Sequence, residues 1–106
     1  MLRAPVVFEG ASSLKEGVLT NLSHGGCALT TAHPLPPGTS LKLQFVPPDL
    51  SGWLRVDQAQ VRWGNGGFCG IKFVRLSDHV RKRLDDFLWN EAVRRLQRAQ
   101  QRRQGG

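Results

Sequence analysis

The sequence predicts a mainly β domain, an antiparallel barrel or sandwich of six strands, followed by one long α-helix. Short apolar or alternating segments recur up to residue 74, and glycines, prolines and small polar residues separate them. Beyond Ser77 the apolar residues recur at three- and four-residue spacing, which is the period of an amphipathic helix. The chain has 106 residues, a length that supports one domain with one modest core.

The first four predicted strands are short, and each is followed by a pattern that turns the chain. They lie at residues 5–8, 15–22, 27–31 and 40–45. Gly25 and Gly26 tolerate backbone angles that other residues avoid, so we expect the second strand to end before them. Three prolines within residues 33–38 predict a rigid loop before the fourth strand. That strand alternates strictly between polar and apolar side chains, as a half-buried strand does.

The last two strands are predicted to form a hairpin. The run Gly-Asn-Gly-Gly at residues 64–67 is a turn signal between a long strand at 53–63 and a returning strand at 68–74. The core candidates of the long strand are Leu54, Val56, Ala59, Val61 and Trp63. Their spacing slips after Val56, which predicts a β-bulge near Asp57 and Gln58. Two roles stay open for Trp63, filling the core or stacking on a ligand, and Arg62 is expected to face the opposite side.

The closing segment predicts a helix that begins at Ser77. Ser77 is a suitable N-cap, and Asp78 places an acid in the first turn. The apolar stripe consists of Val80, Leu84, Phe87, Leu88, Ala92, Leu96 and Ala99. No glycine or proline interrupts residues 77–104, so we expect a helix of about 26 residues, or roughly 39 Å. We expect residues 1–90 to form the barrel with its closing helix, and residues 91–106 to be a basic helical extension or tail.

Charge favours an anionic partner. The net charge is +7 and the isoelectric point is about 10.8, as in proteins that bind nucleotides, nucleic acid or membrane surfaces. Arg94, Arg98 and Arg102 share one helix face, which is either an anion contact or a solvated basic surface. The same helix offers a surface for a protein partner or for self-association. We do not expect nucleic acid to be the partner.

Other residue types exclude several classes of function. The histidines at 24, 33 and 79 have no metal-ligand spacing, and no catalytic constellation is present, so we expect neither a metal site nor an enzyme. Cys27 and Cys69 lie in apolar strand-like segments and are expected to be buried thiols. No apolar run reaches transmembrane length, and the N-terminus lacks the apolar stretch of a signal peptide. The expected location is the cytoplasm.

The segment Asn21-Leu22-Ser23-His24-Gly25-Gly26 is the strongest candidate site. Asn21 and Ser23 lie two residues apart, so on an extended backbone both face the same side. Both side chains donate and accept hydrogen bonds, and Gly26 lets a ligand or another strand come close. A polar binding face and an ordinary strand end with a serine or asparagine turn are both consistent with this pattern.

This segment resembles the (D/N)xSxxG motif of PilZ domains. Residues 35–43, the Val-Arg-Trp at 61–63 and the Gly-Ile-Lys-Phe at 70–73 resemble later elements of that family in the same order. The helix from Ser77 resembles its closing helix, so the resemblance covers roughly residues 4 to 90. It implies a six-stranded antiparallel barrel closed by a C-terminal helix. It also implies a bacterial receptor domain for the second messenger cyclic di-GMP, with Asn21, Ser23 and Gly26 at the ligand.

PilZ domains that bind cyclic di-GMP also carry an RxxxR motif before the first strand. Here Arg3 alone precedes that strand, so the resemblance makes Arg3 the candidate phosphate contact. Trp63, near the last hairpin, is a further candidate contact that would stack on a guanine. The leading hypothesis is therefore a cyclic di-GMP receptor domain without a cofactor. The alternative is a nucleotide-independent adaptor that binds a motility, pilus or polysaccharide-export protein. The intact Asn-x-Ser-x-x-Gly favours the receptor, and the incomplete arginine motif favours the adaptor.

Overall fold

Six antiparallel strands close into a barrel, and one helix follows them. The computed structural model describes residues 3–10, 13–33, 35–47 and 52–105, with side chains described up to residue 100. The elements are β1 (Ala4–Gly10), β2 (Ser13–Leu22), β3 (Gly26–Thr30), β4 (Ser40–Phe45), β5 (Leu54–Asn65), β6 (Phe68–Arg75) and α1 (Asp78–Gly105). The predicted six-stranded barrel with a long C-terminal helix is confirmed.

The order of the strands around the barrel decides which segments become neighbours. It runs β1-β2-β3-β6-β5-β4, and the pairing of β1 with β4 closes the ring. The β2–β3 loop therefore lies beside Lys72 and Phe73 in the C-terminal half of β6, although more than forty residues of chain separate them. This arrangement brings the Asn-x-Ser-x-x-Gly segment to the strand that carries Trp63.

The core fills the inside of the barrel with alternate residues of the strands. β4 shows the pattern most simply, because Leu41, Leu43 and Phe45 are buried while the residues between them are exposed. The first half of α1 adds Leu84 and Phe87 to the same core. Among the described residues, no polar or charged residue is buried. Burial of apolar surface is thus the main source of stability.

Local signals at the ends of elements act as predicted. The Ser77 hydroxyl accepts a hydrogen bond from the Val80 amide at 3.2 Å, which makes Ser77 the N-cap of α1. Gly66 and Gly67 have φ values of 58° and 82°. Two consecutive positive φ values are the geometry of a type I′ hairpin turn, and this turn joins β5 to β6.

β5 contains two bulges, one predicted and one not. Leu41 pairs with Ala59 and Leu43 with Val56, so β5 has one extra residue at Asp57–Gln58, as expected. A second register shift lies between Val61 and Trp63. It turns Trp63 outward, where 48% of its surface is exposed. Of the two roles left open for Trp63, this excludes filling the core, while the other four core candidates of the strand are buried.

The second half of α1 projects from the barrel. α1 continues through the predicted boundary at residue 90 without a break. Trp89 and Leu96 are 71% and 65% exposed, so the apolar stripe no longer contacts the core beyond the middle of the helix. A separate role for residues 91–106 stays a prediction. Within the described part of the chain, no helix has both the length and the apolar character needed to cross a membrane.

Candidate functional site

A shallow cleft on the barrel surface contains four of the five residues that the sequence singled out. Asn21, Ser23 and Gly26 contribute one side, and Trp63 contributes the other. The cleft has a volume of about 340 Å³ and is open to solvent. It lies over β3 and β6, between the β2–β3 loop and β5. This size is at the lower end of the range for small-molecule sites, about 300–1,000 Å³.

Hydrogen bonds hold the β2–β3 loop in shape and leave polar groups free to bind. The Ser23 amide and the Ser23 hydroxyl both donate to the Gly26 carbonyl oxygen, at 2.9 and 3.1 Å. The Leu22 amide donates to Asn21 Oδ1 at 2.9 Å. The N–H groups of the Asn21 amide and the lone pairs of the Ser23 oxygen remain available to a ligand. Leu22 is buried between them, so both polar side chains face outward as predicted.

Gly26 has a structural reason to be glycine. It pairs with Lys72 across β3 and β6, and a Cβ at this position would collide with the carbonyl oxygen of Ile71. The neighbouring Gly25 carbonyl accepts a hydrogen bond from the Phe73 amide at 2.9 Å. These contacts fasten the loop to β6. Gly26 therefore permits the close approach of two strands, besides lining the cleft.

Trp63 lies over Gly70 of β6. The two residues are cross-strand partners, and a Cβ on Gly70 would collide with the indole ring. The ring also stacks on Phe68, with ring centroids 6.0 Å apart and an interplanar angle of 9°. Glycine and phenylalanine thus hold the indole at the edge of the cleft with about half of its surface open. This geometry suits an aromatic ring that receives a planar ligand.

The cleft is positively charged. Arg62 and Lys72 line it, and no aspartate or glutamate appears among the described residues of its lining. The prediction that Arg62 faces away from Trp63 is wrong, because the bulge in β5 places both residues at the cleft. Lys72 was not predicted, because its position depends on how β6 pairs with β3. No local signal in the sequence marks it.

Arg3 does not line the cleft within the described residues. It is exposed and directly precedes Ala4, which pairs with Leu19 of β2. Continuing that register places Arg3 beside Thr20, one residue before Asn21. Arg3 therefore lies at the same end of β2 as the cleft, and its contact with a ligand stays a prediction.

Comparison with known proteins assigns the fold and its family together. A sequence model of the PilZ domain matches residues 2–89. The chain belongs to the PilZ family. The PilZ domain of CeSA, a protein from a cellulose-synthesizing bacterium, has a similar structure with a TM-score of 0.65. The two chains are 18% identical, and the match covers 85% of this chain and 93% of the CeSA domain. No curated protein sequence matches the chain.

In this PilZ domain the β2–β3 loop is joined to α1. The His24 ring N–H donates through Nδ1 to the Asp85 carboxylate, with 2.7 Å between Nδ1 and Oδ1. Both side chains are more than half exposed, so the contact contributes little to stability. It nevertheless connects the residue after Ser23 to the helix. His33 and His79 are exposed, and no group of metal ligands is present within the described residues.

Cys27 and Cys69 are buried free thiols, as predicted. The pKa of Cys27 is raised from its ordinary 9.0 to about 12, mainly by burial and to a lesser extent by the neighbouring Cys69. Burial also raises the pKa of Cys69. Both residues are therefore neutral at physiological pH. They behave as small hydrophobic residues of the core and not as nucleophiles.

Proposed function

We propose that this PilZ domain is a receptor that binds cyclic di-GMP in the cleft between the β2–β3 loop and β5. The observation that carries the proposal is the meeting of Asn21, Ser23, Gly26 and Trp63 in one cleft. PilZ domains are regulatory binding domains and not enzymes, and cyclic di-GMP is the ligand with which the family is associated. No catalytic step is required of the site.

The chemistry of the cleft suits the two parts of a guanine nucleotide. The Asn21 amide donates hydrogen bonds, and the Ser23 oxygen accepts them, so together they satisfy the acceptors and donors on a guanine edge. The exposed Trp63 ring offers a surface on which a purine can stack. Phosphate groups carry negative charge, and the acid-free lining favours them electrostatically.

Ligand binding can regulate only if the ligand prefers one arrangement of the protein over another. The His24–Asp85 contact supplies a route from the cleft to α1. Arg3, at the N-terminal end of β1, supplies a second route if it closes over the bound nucleotide. The proposed output is a change in the orientation of α1 or of the segment preceding β1.

The test is titration calorimetry of the domain with cyclic di-GMP, at low salt and near physiological salt. We expect a dissociation constant in the micromolar range or tighter. An Asn21→Ala/Ser23→Ala variant should bind more weakly, because two hydrogen-bonding side chains at the ligand are removed. Each such contact contributes about 0.5–1.5 kcal/mol, so the dissociation constant of the double variant should rise roughly five- to 150-fold.

The matched control is a Ser40→Ala/Gln44→Ala variant. Both residues are exposed on β4, which lies away from the cleft, and the substitutions remove the same kinds of polar group. The control should bind like the wild type. Absence of binding by the wild type at hundreds of micromolar, or equal binding by both double variants, contradicts the receptor proposal.

A second candidate function rests on the exposed half of α1. Trp89 and Leu96 present apolar surface to solvent on the projecting helix, as a docking helix does. A nucleotide-independent adaptor would use this surface to bind a motility, pilus or polysaccharide-export protein. In the native host, Trp89→Ala/Leu96→Ala should then abolish the effect of the domain on these processes. The Asn21→Ala/Ser23→Ala variant should keep the effect of the domain. If instead the Asn21→Ala/Ser23→Ala variant loses the effect and the Trp89→Ala/Leu96→Ala variant keeps it, the receptor function is favoured.

A further inference from the structure

We propose that Arg62 and Lys72 form the phosphate-binding part of the cleft. The ligand class is a nucleotide phosphate whose base lies against Trp63. This inference rests on the proposed function, because it assigns the cations of the same site.

The bulge in β5 is the first observation that carries the inference. Val61 pairs with Ile71 and Trp63 with Gly70, so one extra residue lies on β5 between these pairs. In a regular strand Arg62 and Trp63 would point to opposite faces. Here Val61 is buried, and both following residues are exposed and line the cleft. The bulge thus makes two consecutive residues, Arg62 and Trp63, line the same cleft.

The floor of the cleft is the second observation. The outward positions of β3 and β6 under the cleft are Gly26, Ala28 and Gly70, because the residues between them point into the core. The Trp63 indole covers Gly70, and the small residues Gly26 and Ala28 leave a flat surface between the β2–β3 loop and that ring. Lys72 pairs with Gly26 on β3, so no neighbouring side chain on that strand separates its base from the cleft. A planar base and its phosphate can approach closely.

The absence of competing charges is the third observation. Arg55 pairs with Asp57 at 3.4 Å and Lys82 with Asp86 at 3.8 Å. By contrast, neither Arg62 nor Lys72 forms an ion pair or a side-chain hydrogen bond with any described residue. Two cations therefore share one concave surface without a counter-ion from the part of the chain that the structure describes. A bound anion would supply that counter-ion.

The two cations would make different contacts. An arginine guanidinium binds phosphate oxygens or the guanine O6 and N7 atoms through two parallel hydrogen bonds, and it stacks on a purine. A lysine ammonium acts as a compact point charge that suits a phosphate oxygen. The position of Arg62 beside Trp63 favours contact with both base and phosphate. Lys72, near the β2–β3 loop, favours phosphate alone.

The experiment compares Arg62→Ala/Lys72→Ala with Arg55→Ala/Lys42→Ala by titration calorimetry with cyclic di-GMP. The control pair is exposed on β5 and β4 and removes the same net charge away from the cleft. The affinity of the cleft variant should fall by at least about tenfold, because contacts to charged groups are the stronger ones. Its affinity should also depend less on salt, because fewer charges are screened. The control should keep the wild-type affinity and salt dependence.

If the wild type and the cleft variant bind cyclic di-GMP equally well, the inference is wrong and the receptor proposal stands. A second probe separates the two claims when the wild type binds no cyclic di-GMP. Inorganic pyrophosphate is added to the ¹⁵N-labelled domain, and the amide signals of Gly26 and Gly70 are followed by NMR. If pyrophosphate shifts these signals in the wild type but not in the Arg62→Ala/Lys72→Ala variant, the phosphate site is supported and only the receptor proposal is rejected. Without such shifts, both proposals fail.

Discussion

The indole ring of Trp63 lies over Gly70, in the space that a side chain on residue 70 would occupy. This contact keeps Trp63 at the edge of the cleft. A Gly70→Ala substitution forces the ring or β6 to move. Such overpacking costs about 1–3 kcal/mol. Urea unfolding of the variant should show this loss, together with a changed environment of the Trp63 indole in an NMR spectrum.

Gly25→Ala is the matched control for this prediction. A Cβ on Gly25 meets no atom within 4 Å, so the substitution should change the free energy of unfolding by less than about 0.5 kcal/mol. A Gly70→Ala variant as stable as the control, with an unchanged Trp63 indole signal, would show that the ring does not depend on this glycine.

Gly26→Ala should be more harmful, because the obstacle is backbone and not a movable side chain. A Cβ at residue 26 would collide with the Ile71 carbonyl oxygen and force β3 away from β6. We expect a loss of about 2 kcal/mol or more in the free energy of unfolding. Chemical denaturation measures it, again beside Gly25→Ala. Equal stability of the two variants would contradict the close approach of β3 and β6 at this position.

The hydrogen bond between His24 and Asp85 should transmit ligand binding from the cleft to α1. In the wild-type domain, cyclic di-GMP should shift the amide signals of α1 around Leu84. Asp85→Ala removes the connection, so these shifts should diminish while the affinity changes little. Its cost in stability should be below about 1 kcal/mol, because both side chains are exposed.

Asp86→Ala is the control for the role of Asp85. Asp86 lies in the same helical turn and pairs with Lys82, not with the β2–β3 loop. It should leave the ligand-induced shifts in α1 unchanged. The proposed connection is refuted if the two variants reduce the shifts to the same extent, or if neither does.

The buried thiols should make the barrel sensitive to alkaline pH. The pKa of Cys27 in the folded protein, about 12, lies above its ordinary 9.0. The contribution to stability is therefore complete below about pH 9 and is lost as pH rises toward 12, because the unfolded chain ionises its thiol first. Urea unfolding at several values from pH 8 to 11 should show a decline that is flatter in a Cys27→Ala variant. Parallel declines in the two proteins would argue against this origin.

Much of the fold could be predicted from the sequence because its signals are local. The alternation in β4, the glycine turn before Phe68 and the N-cap at Ser77 each depend on a few adjacent residues. The bulge at Asp57–Gln58 was predictable for the same reason, since the spacing of apolar residues slips there. That the six strands form a barrel and not a sandwich was implied by the resemblance to PilZ domains and not by these patterns.

The cleft was only partly predictable because its electrostatics depend on pairing between distant strands. The Asn-x-Ser-x-x-Gly segment marks one side of it in the sequence. The second bulge leaves no such mark, because Val61, Arg62 and Trp63 fit a regular strand equally well. Trp63 therefore belongs to the surface and not to the core, and Arg62 lies beside it. Lys72 becomes relevant only once β6 is placed against Gly26.

Cyclic di-GMP is proposed to bind over Gly26 and Ala28, between the β2–β3 loop and Trp63. The most direct measurement is an NMR titration of the ¹⁵N-labelled wild-type domain with cyclic di-GMP. We expect the largest changes in chemical shift at the amides of Leu22, Gly26 and Gly70 and at the Trp63 indole. A spectrum that does not change, or shifts that cluster away from this cleft, would contradict it.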